Sequence, residues 1–208
     1  LIFCQSNSTN QWKGKFSPDG GVYNFNFFDG QCYLAKDPLL GTSGKGGSFA
    51  SRLGDRLVKA KIFDTVVLVP IGVGGTYMED WTLGGIHFRR IPVAIQRLAN
   101  AGLPVTHLIW HQGEGNTGSM SNPEAYKNNF LAMLNAIRSY RVSAPIFVPL
   151  VSVCGGAPDE ITRRGQRALV NPAHGIYPGP DTDSLRLNYR YDNCHLNSAG
   201  LEAHAEMW

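Results

Sequence analysis

Short runs of consecutive apolar residues, each closing on a polar turn, constrain the fold of this chain more than any other feature. Thr65-Val-Val-Leu-Val69 and Ile146 to Val151 are predominantly apolar runs, and the strand expected over Val105 to Trp110 ends in the apolar run Leu108 to Trp110. That is the pattern of a parallel strand covered on both faces rather than one. Segments with helical spacing lie between them. Ser48 can cap a helix carrying Phe49, Leu53, Leu57 and Val58 to about Lys61, and others are expected over His87–Ala101, Pro123–Tyr140, Asp159–Val170 and Asn197–Met207. Leu1–Cys4 reads as a first strand and Gly175–Tyr177 as a short last one. Alternating strand and helix predict an α/β fold, a parallel sheet with helices on both faces. The 208 residues, 43% of them hydrophobic, suffice for one domain over 1–208. Ligands of such sheets gather at the C-terminal strand edge.

Composition excludes several classes. The net charge is +3 without a long run of one sign, and Arg163, Arg164 and Arg167 read as a solvated helix face, so no nucleic-acid partner is expected. No stretch has the apolar length of a membrane span. The four cysteines lack C-x-x-C spacing, His107 and His111 have no evident third ligand, and neither metal nor cofactor is expected. Leu1 already stands in a strand and Trp208 in a helical pattern, so any targeting signal is expected to lie outside these residues. The compartment stays open, an even cysteine count being compatible with a secreted or periplasmic protein.

The polar turns hold the candidate chemistry. Gly41 to Ser48 has the look of a phosphate loop, but Gly46 is followed by Gly47, and Gly72-Val-Gly74 lacks the third glycine of a dinucleotide fingerprint. Lys13 to Gly47 reads as a long ordered loop with room for one strand-like piece, of the kind that builds lids or binding walls. Four other turns agree with one another. Ser6 closes the first strand as a candidate nucleophile. Gly74 and Gly75 offer unobstructed backbone N–H groups, and Gln112 offers a carboxamide donor. Asp192 stands three residues before His195, close enough to orient the imidazole as a general base.

In order, Gln5-Ser6-Asn7, Gly74-Gly75-Thr76 with Trp81, Trp110-His-Gln-Gly-Glu114 and Asp192-x-x-His195-Leu-Asn197 resemble the blocks of the SGNH-hydrolase superfamily. The branch resembled is the carbohydrate esterases that include sialate O-acetylesterases and acetylxylan esterases. The resemblance implies a three-layer α/β/α sandwich with a flavodoxin-like parallel sheet. It implies Ser6, Asp192 and His195 as the triad, and an oxyanion hole of Ser6, Gly74 or Gly75, and Gln112. Glu114 would brace the Gln112 turn, His111 would pack behind it, and Asn7, Thr76, Trp81 and Asn116 would meet the substrate. The implied activity is removal of O-acetyl groups from an acetylated oligo- or polysaccharide through an acetyl-enzyme.

Two departures stand out: Cys4 replaces the glycine usual before Gln-Ser-Asn, and Gly115-Asn116 replaces a common Ser-Asp pair. Two rival readings stay open, a lipase or thioesterase on the same fold and a carbohydrate-binding derivative without catalysis. Trp12, Tyr23, Phe25, Phe27, Tyr77 and Trp81 are candidate stacking surfaces for sugar rings, or simple packing. Cys4 and Cys194 flank the candidate nucleophile and base, which makes them one candidate disulfide, with Cys32 and Cys154 the other.

Overall fold

The computed structural model describes residues 1–118 and 122–208, with Cys4 described by its backbone alone. Its strands are β1 (Ile2–Cys4), β2 (Val22–Asn26), β3 (Gln31–Leu34), β4 (Val66–Leu68), β5 (Leu108–His111), β6 (Ile146–Leu150) and β7 (Ile176–Asp181). The helices are α1 (Phe49–Lys59), α2 (Arg90–Asn100), α3 (Pro123–Ser139), α4 (Glu160–Arg167) and α5 (Ser198–Met207). Strands β1, β5, β6 and β7 form a parallel sheet in that order, and β3, β2 and β4 form a second set. Ile2 N–H donates to Val69 O at 3.0 Å and Ile71 N–H to Ile2 O at 2.8 Å, joining β4 to the free side of β1. From β1 the chain first builds one side of the sheet and then the other. The C-terminal end of β1 is therefore the topological switch point, where open α/β sheets leave a crevice.

Period-two alternation explains the layers. Phe3 and Trp110 point to the face covered by α2 and α3, where they join Trp81, Ile91, Tyr126, Phe130 and Met133. Ile2 and Ile109 point to the opposite face, covered by α1 and α5 through Phe49, Leu53 and Leu201. Full burial of each such side chain stabilises the fold by about 1.5–3 kcal/mol. The caps are local. Ser48, Asn122, Asp159 and Asn197 each accept a backbone N–H at the start of α1, α3, α4 and α5.

Two expectations change. The 13–47 segment holds an antiparallel hairpin, β2 with β3, and β2 extends the parallel sheet beside β4. Its interrupted alternation, with Asn24 and Asn26 among aromatics, hid it. The arginines of α4 are not a uniformly solvated face. Arg163 is buried and paired with Asp183 at 2.6 Å, Asp181 at 2.8 Å and Glu160 at 3.0 Å. Asp183 in turn accepts the N–H groups of Ser152 and Val153 at 2.8 and 2.9 Å. This ionic network fixes the chain leaving β6.

Candidate active site

A solvent-open cleft of about 490 Å³ lies over the ends of β1, β4, β5 and β6, with Ser6, Gln11, Ser43, Gly74, Gly75, Glu114 and His195 in its walls. Ser6 opens a 3₁₀ turn directly after β1. The turn is closed by Ser8 N–H to Gln5 O at 3.1 Å and Thr9 N–H to Ser6 O at 3.0 Å. The hydroxyls of Ser8 and Thr9 return to the same two carbonyls, each at 2.9 Å. Ser6 Oγ has no protein partner among the described residues, and neither has its backbone N–H.

His195 sits in a tight loop that folds back on itself through Tyr191 N–H to His195 O at 3.0 Å and Asn197 N–H to Tyr189 O at 2.8 Å. Asn193 takes φ +62° at the bend, the left-handed conformation that asparagine tolerates. Asp192 Oδ2 meets His195 Nδ1 at 2.7 Å, while its Oδ1 accepts the N–H groups of Cys194 and His195 at 3.0 and 2.6 Å. Partial burial raises the Asp192 carboxyl pKa, but these bonds outweigh it and hold the group below its ordinary range. Nε2 of His195 has no protein partner among the described residues, and His195 lines the cleft together with Ser6.

Asn7 ties the two loops together. Its Nδ2 donates to Glu114 Oε1 at 2.8 Å and to Cys194 O at 3.1 Å, and its Oδ1 accepts Leu196 N–H at 2.9 Å. Arg190 adds a buried guanidinium that donates to the carbonyls of Leu185, Val153, Thr182 and Cys194. A disulfide joins Cys154 to Cys194, so β6's exit and the His195 loop are covalently linked at the cleft edge. This replaces the Cys4–Cys194 and Cys32–Cys154 pairs: Cys194 is already bonded and Cys32 is free and exposed on β3. The side chain of Cys4 lies outside the described residues.

The donors differ from expectation. Gln112 is fully buried, and its Nε2 donates to Asn116 Oδ1 at 2.6 Å and to Gln5 Oε1 and Thr76 O, both at 3.1 Å. Its amide hydrogens are thus engaged within the protein, and it is absent from the cleft wall. Gln5 Oε1 also accepts the N–H groups of Gly113 and Gly115, which makes Gln5 the hub of this turn. Gly74 N–H donates to Ser43 Oγ at 2.8 Å. Gly75, at φ +73° with open space where a side chain would stand, has no acceptor for its N–H among the described residues. Ser6 and Gly75 are therefore the backbone donors left available.

The four candidate substrate contacts are all wall supports. Asn7, Thr76, Trp81 and Asn116 are buried. Trp81 Nε1 donates to Thr76 Oγ1 at 3.0 Å, and its ring packs edge-on against Trp110. Asn116 Oδ1 accepts Met78 N–H at 2.9 Å and its Nδ2 donates to Glu79 at 3.2 Å. Buried amides and hydroxyls satisfied in this way hold the turns that form the cleft wall. Of the candidate stacking rings, Phe25, Phe27 and Trp81 are core, whereas Trp12 packs on Tyr191, which lies against the His195 ring.

Glu114 is buried beside His111, whose Nε2 lies 3.6 Å from its Oε1. Burial raises its pKa, and the interactions with His111 and Asn7 outweigh that and keep the carboxyl below its ordinary range. Its carboxylate accepts Asn7 Nδ2 and so ties the turn after Gln112 to the Ser6 turn. His111 packs against His204 and Phe49 in the core behind the turn. Gln11, Ser43 and the disulfide were not singled out by sequence pattern. The only signal for Ser43 was its place in a long loop, which does form a wall of the cleft.

Comparison with known proteins agrees with this fold. A family model described as carbohydrate esterase, sialic acid-specific acetylesterase, matches residues 31–208. The Ser6 turn precedes the matched residues, so its role rests on geometry. A probable carbohydrate esterase of Arabidopsis thaliana, At4g34215, is 26% identical over 157 residues, 74% of this chain and 57% of the relative. The chain thus matches somewhat more than half the length of that protein. The crystal structure from the same Arabidopsis locus superposes with a TM-score of 0.76 at 20% identity, covering 99% of this chain and 96% of that one. A carbohydrate acetylesterase from Xanthomonas citri gives 0.65 at 15% identity over 99% and 54% of the two chains. A lipase/acylhydrolase from Enterococcus faecalis gives 0.53 at 13% over 99% and 91%. At these identities the superpositions establish the SGNH-type fold.

Proposed function

The chain belongs to the carbohydrate esterase, sialic acid-specific acetylesterase family, and on that premise we propose that it is a serine esterase removing O-acetyl groups from an acetylated oligo- or polysaccharide. One observation carries the reading. Ser6 Oγ and His195 Nε2, in the wall of one cleft, are both without protein partners among the described residues, while His195 Nδ1 is held by Asp192 at 2.7 Å. An imidazole anchored on one nitrogen and free on the other is the arrangement of a general base.

Ser6 Oγ attacks the acetyl carbonyl carbon as its proton passes to His195 Nε2. The carbonyl electron pair moves onto oxygen, where the N–H groups of Ser6 and Gly75 receive it. Collapse breaks the bond to the sugar oxygen, which leaves with the proton from His195. Water then loses a proton to His195 and attacks the acetyl-enzyme. The bond to Ser6 Oγ breaks, Oγ recovers its proton from His195, and acetate departs.

The test is acetate release from acetylated xylan, O-acetylated sialic acid and peracetylated monosaccharides, for the intact protein and for Ser6→Ala. The expected result is release by the first and none by the second, with both folded. Full activity of Ser6→Ala would overturn the assignment. The panel also decides between xylan and sialate types.

A further inference from the structure

The missing side chain of Gly74 leaves a notch beside Ser6, and three groups converge on it. A Cβ placed on Gly74 would stand 3.3 Å from Gln11 Nε2, 3.5 Å from Ser43 Oγ and 3.7 Å from Ser6 Cβ. Gln11 and Ser43 both line the cleft with Ser6 and His195. Among the described residues Gln11 Nε2 donates one bond, to Thr9 Oγ1 at 3.0 Å. A carboxamide has two N–H groups, so one hydrogen remains. Ser43 Oγ accepts Gly74 N–H and is thereby fixed as the opposite wall of the notch. Ser43 itself is pinned through Ser43 N–H to Gly72 O at 3.1 Å and Asn10 N–H to Ser43 O at 3.0 Å.

We infer that Gln11 is a further catalytic residue: its free amide N–H is the side-chain donor to the acyl oxygen as negative charge develops there. This fills the role expected of Gln112, whose amide is engaged inside the protein at all three of its contacts. The inference rests on Ser6 as the nucleophile. An acyl carbon bonded to Ser6 Oγ carries its oxygen into the neighbourhood of the Ser6 Cβ, and so of the notch. A neutral carboxamide suits an ester carbonyl, because it strengthens its bond as the oxygen becomes anionic and binds the neutral ground state weakly.

The experiment compares the intact protein with Gln11→Leu, Gln11→Glu and Ser6→Ala, using a chromogenic acetate ester and an alkylboronic acid that forms a tetrahedral anion on serine. Gln11→Leu is expected to lower kcat on the order of a hundredfold, as loss of an oxyanion donor does. KM should stay within about twofold, and boronate affinity should weaken in parallel with kcat. Gln11→Glu keeps the shape and places an anion where charge develops, so its loss should be at least as deep. It supplies the measurement if the Leu variant does not fold. A merely structural Gln11 would tolerate Glu and leave the boronate unaffected. Folded Gln11 variants with unchanged kcat, beside an inactive Ser6→Ala, would overturn the inference alone. An active Ser6→Ala would overturn the underlying reading as well.

Discussion

Asn7 accepts the backbone N–H of Leu196 at 2.9 Å, so the residue after the candidate nucleophile holds the residue after the candidate base. The same side chain donates to Cys194 O at 3.1 Å on the other flank of His195. One buried carboxamide therefore sets the spacing of the two loops that meet in the cleft.

Asn7→Ala is expected to cost about 1–3 kcal/mol for each backbone group it leaves buried without a partner. Turnover should fall by up to about a hundredfold from misplacement of the base, with KM less affected. Asn7→Asp keeps the acceptor for Leu196 but sets a second carboxylate against Glu114, now 2.8 Å from Nδ2. Its stability deficit should be larger at neutral pH and shrink on acidification, as thermal unfolding across pH will show. In a His195→Ala background, loss of Asn7 should lower the residual rate little further. Simple additivity there would argue against a role through His195.

Reduction of the Cys154–Cys194 disulfide, or its replacement by a pair of alanines, should lower stability by about 2–4 kcal/mol, given a chain separation of 40 residues. The effect on kcat should be smaller than that of Asn7→Ala, because Asn7 and Arg190 still grip the Cys194 carbonyl. Paired urea titrations and turnover measurements, with and without a dithiol, will separate the two. A kcat that collapses while stability holds would contradict this ordering.

His204 supplies an acid-side instability. It is buried against Phe49 and His111, and its Nε2 accepts Trp208 Nε1 at 2.9 Å. Burial first, then the charges of His111 and Arg190, push its pKa well below the ordinary histidine value of 6.5. The unfolded chain therefore binds a proton that the folded chain refuses, so stability is full above that value and falls as pH drops below it. The slope for one such group approaches about 1.4 kcal/mol per pH unit. His204→Gln, which retains an acceptor for Trp208, should flatten the dependence of Tm on pH below 6.5. An unchanged slope would assign the acid loss elsewhere.

Gln112→Leu should register chiefly as lost stability. Gln5, Thr76 and Asn116 each lose a buried donor, at about 0.5–1.5 kcal/mol apiece, since Gln5 Oε1 keeps the N–H groups of Gly113 and Gly115 and Asn116 Oδ1 keeps that of Met78. Calorimetry should show a lower Tm. Turnover per folded molecule should fall less than in Gln11→Leu, and the reverse ranking would return the donor role to Gln112.

The sequence by itself determined the alternation of apolar runs and helical segments, hence the α/β layers. It also brought Asp192 within one local turn of His195. Both follow from short-range rules: strand burial patterns, caps and an i, i+3 spacing act within a few residues. The blocks around Ser6, Gly74 and His195 were legible for the same reason, since each ends a recognisable strand or opens a helix. Only the tertiary structure decided where the polar groups of those turns point. Gln112 and Gln11 are the same residue type near the ends of two strands, yet one donates to Gln5, Thr76 and Asn116 inside the protein while the other donates to Thr9 and lines the cleft. The partner of Cys194 was likewise set by β6 running beside the His195 loop, 40 residues away in sequence. Hydrogen-bond satisfaction and disulfide pairing depend on neighbours that distant parts of the chain supply, and no local pattern encodes them.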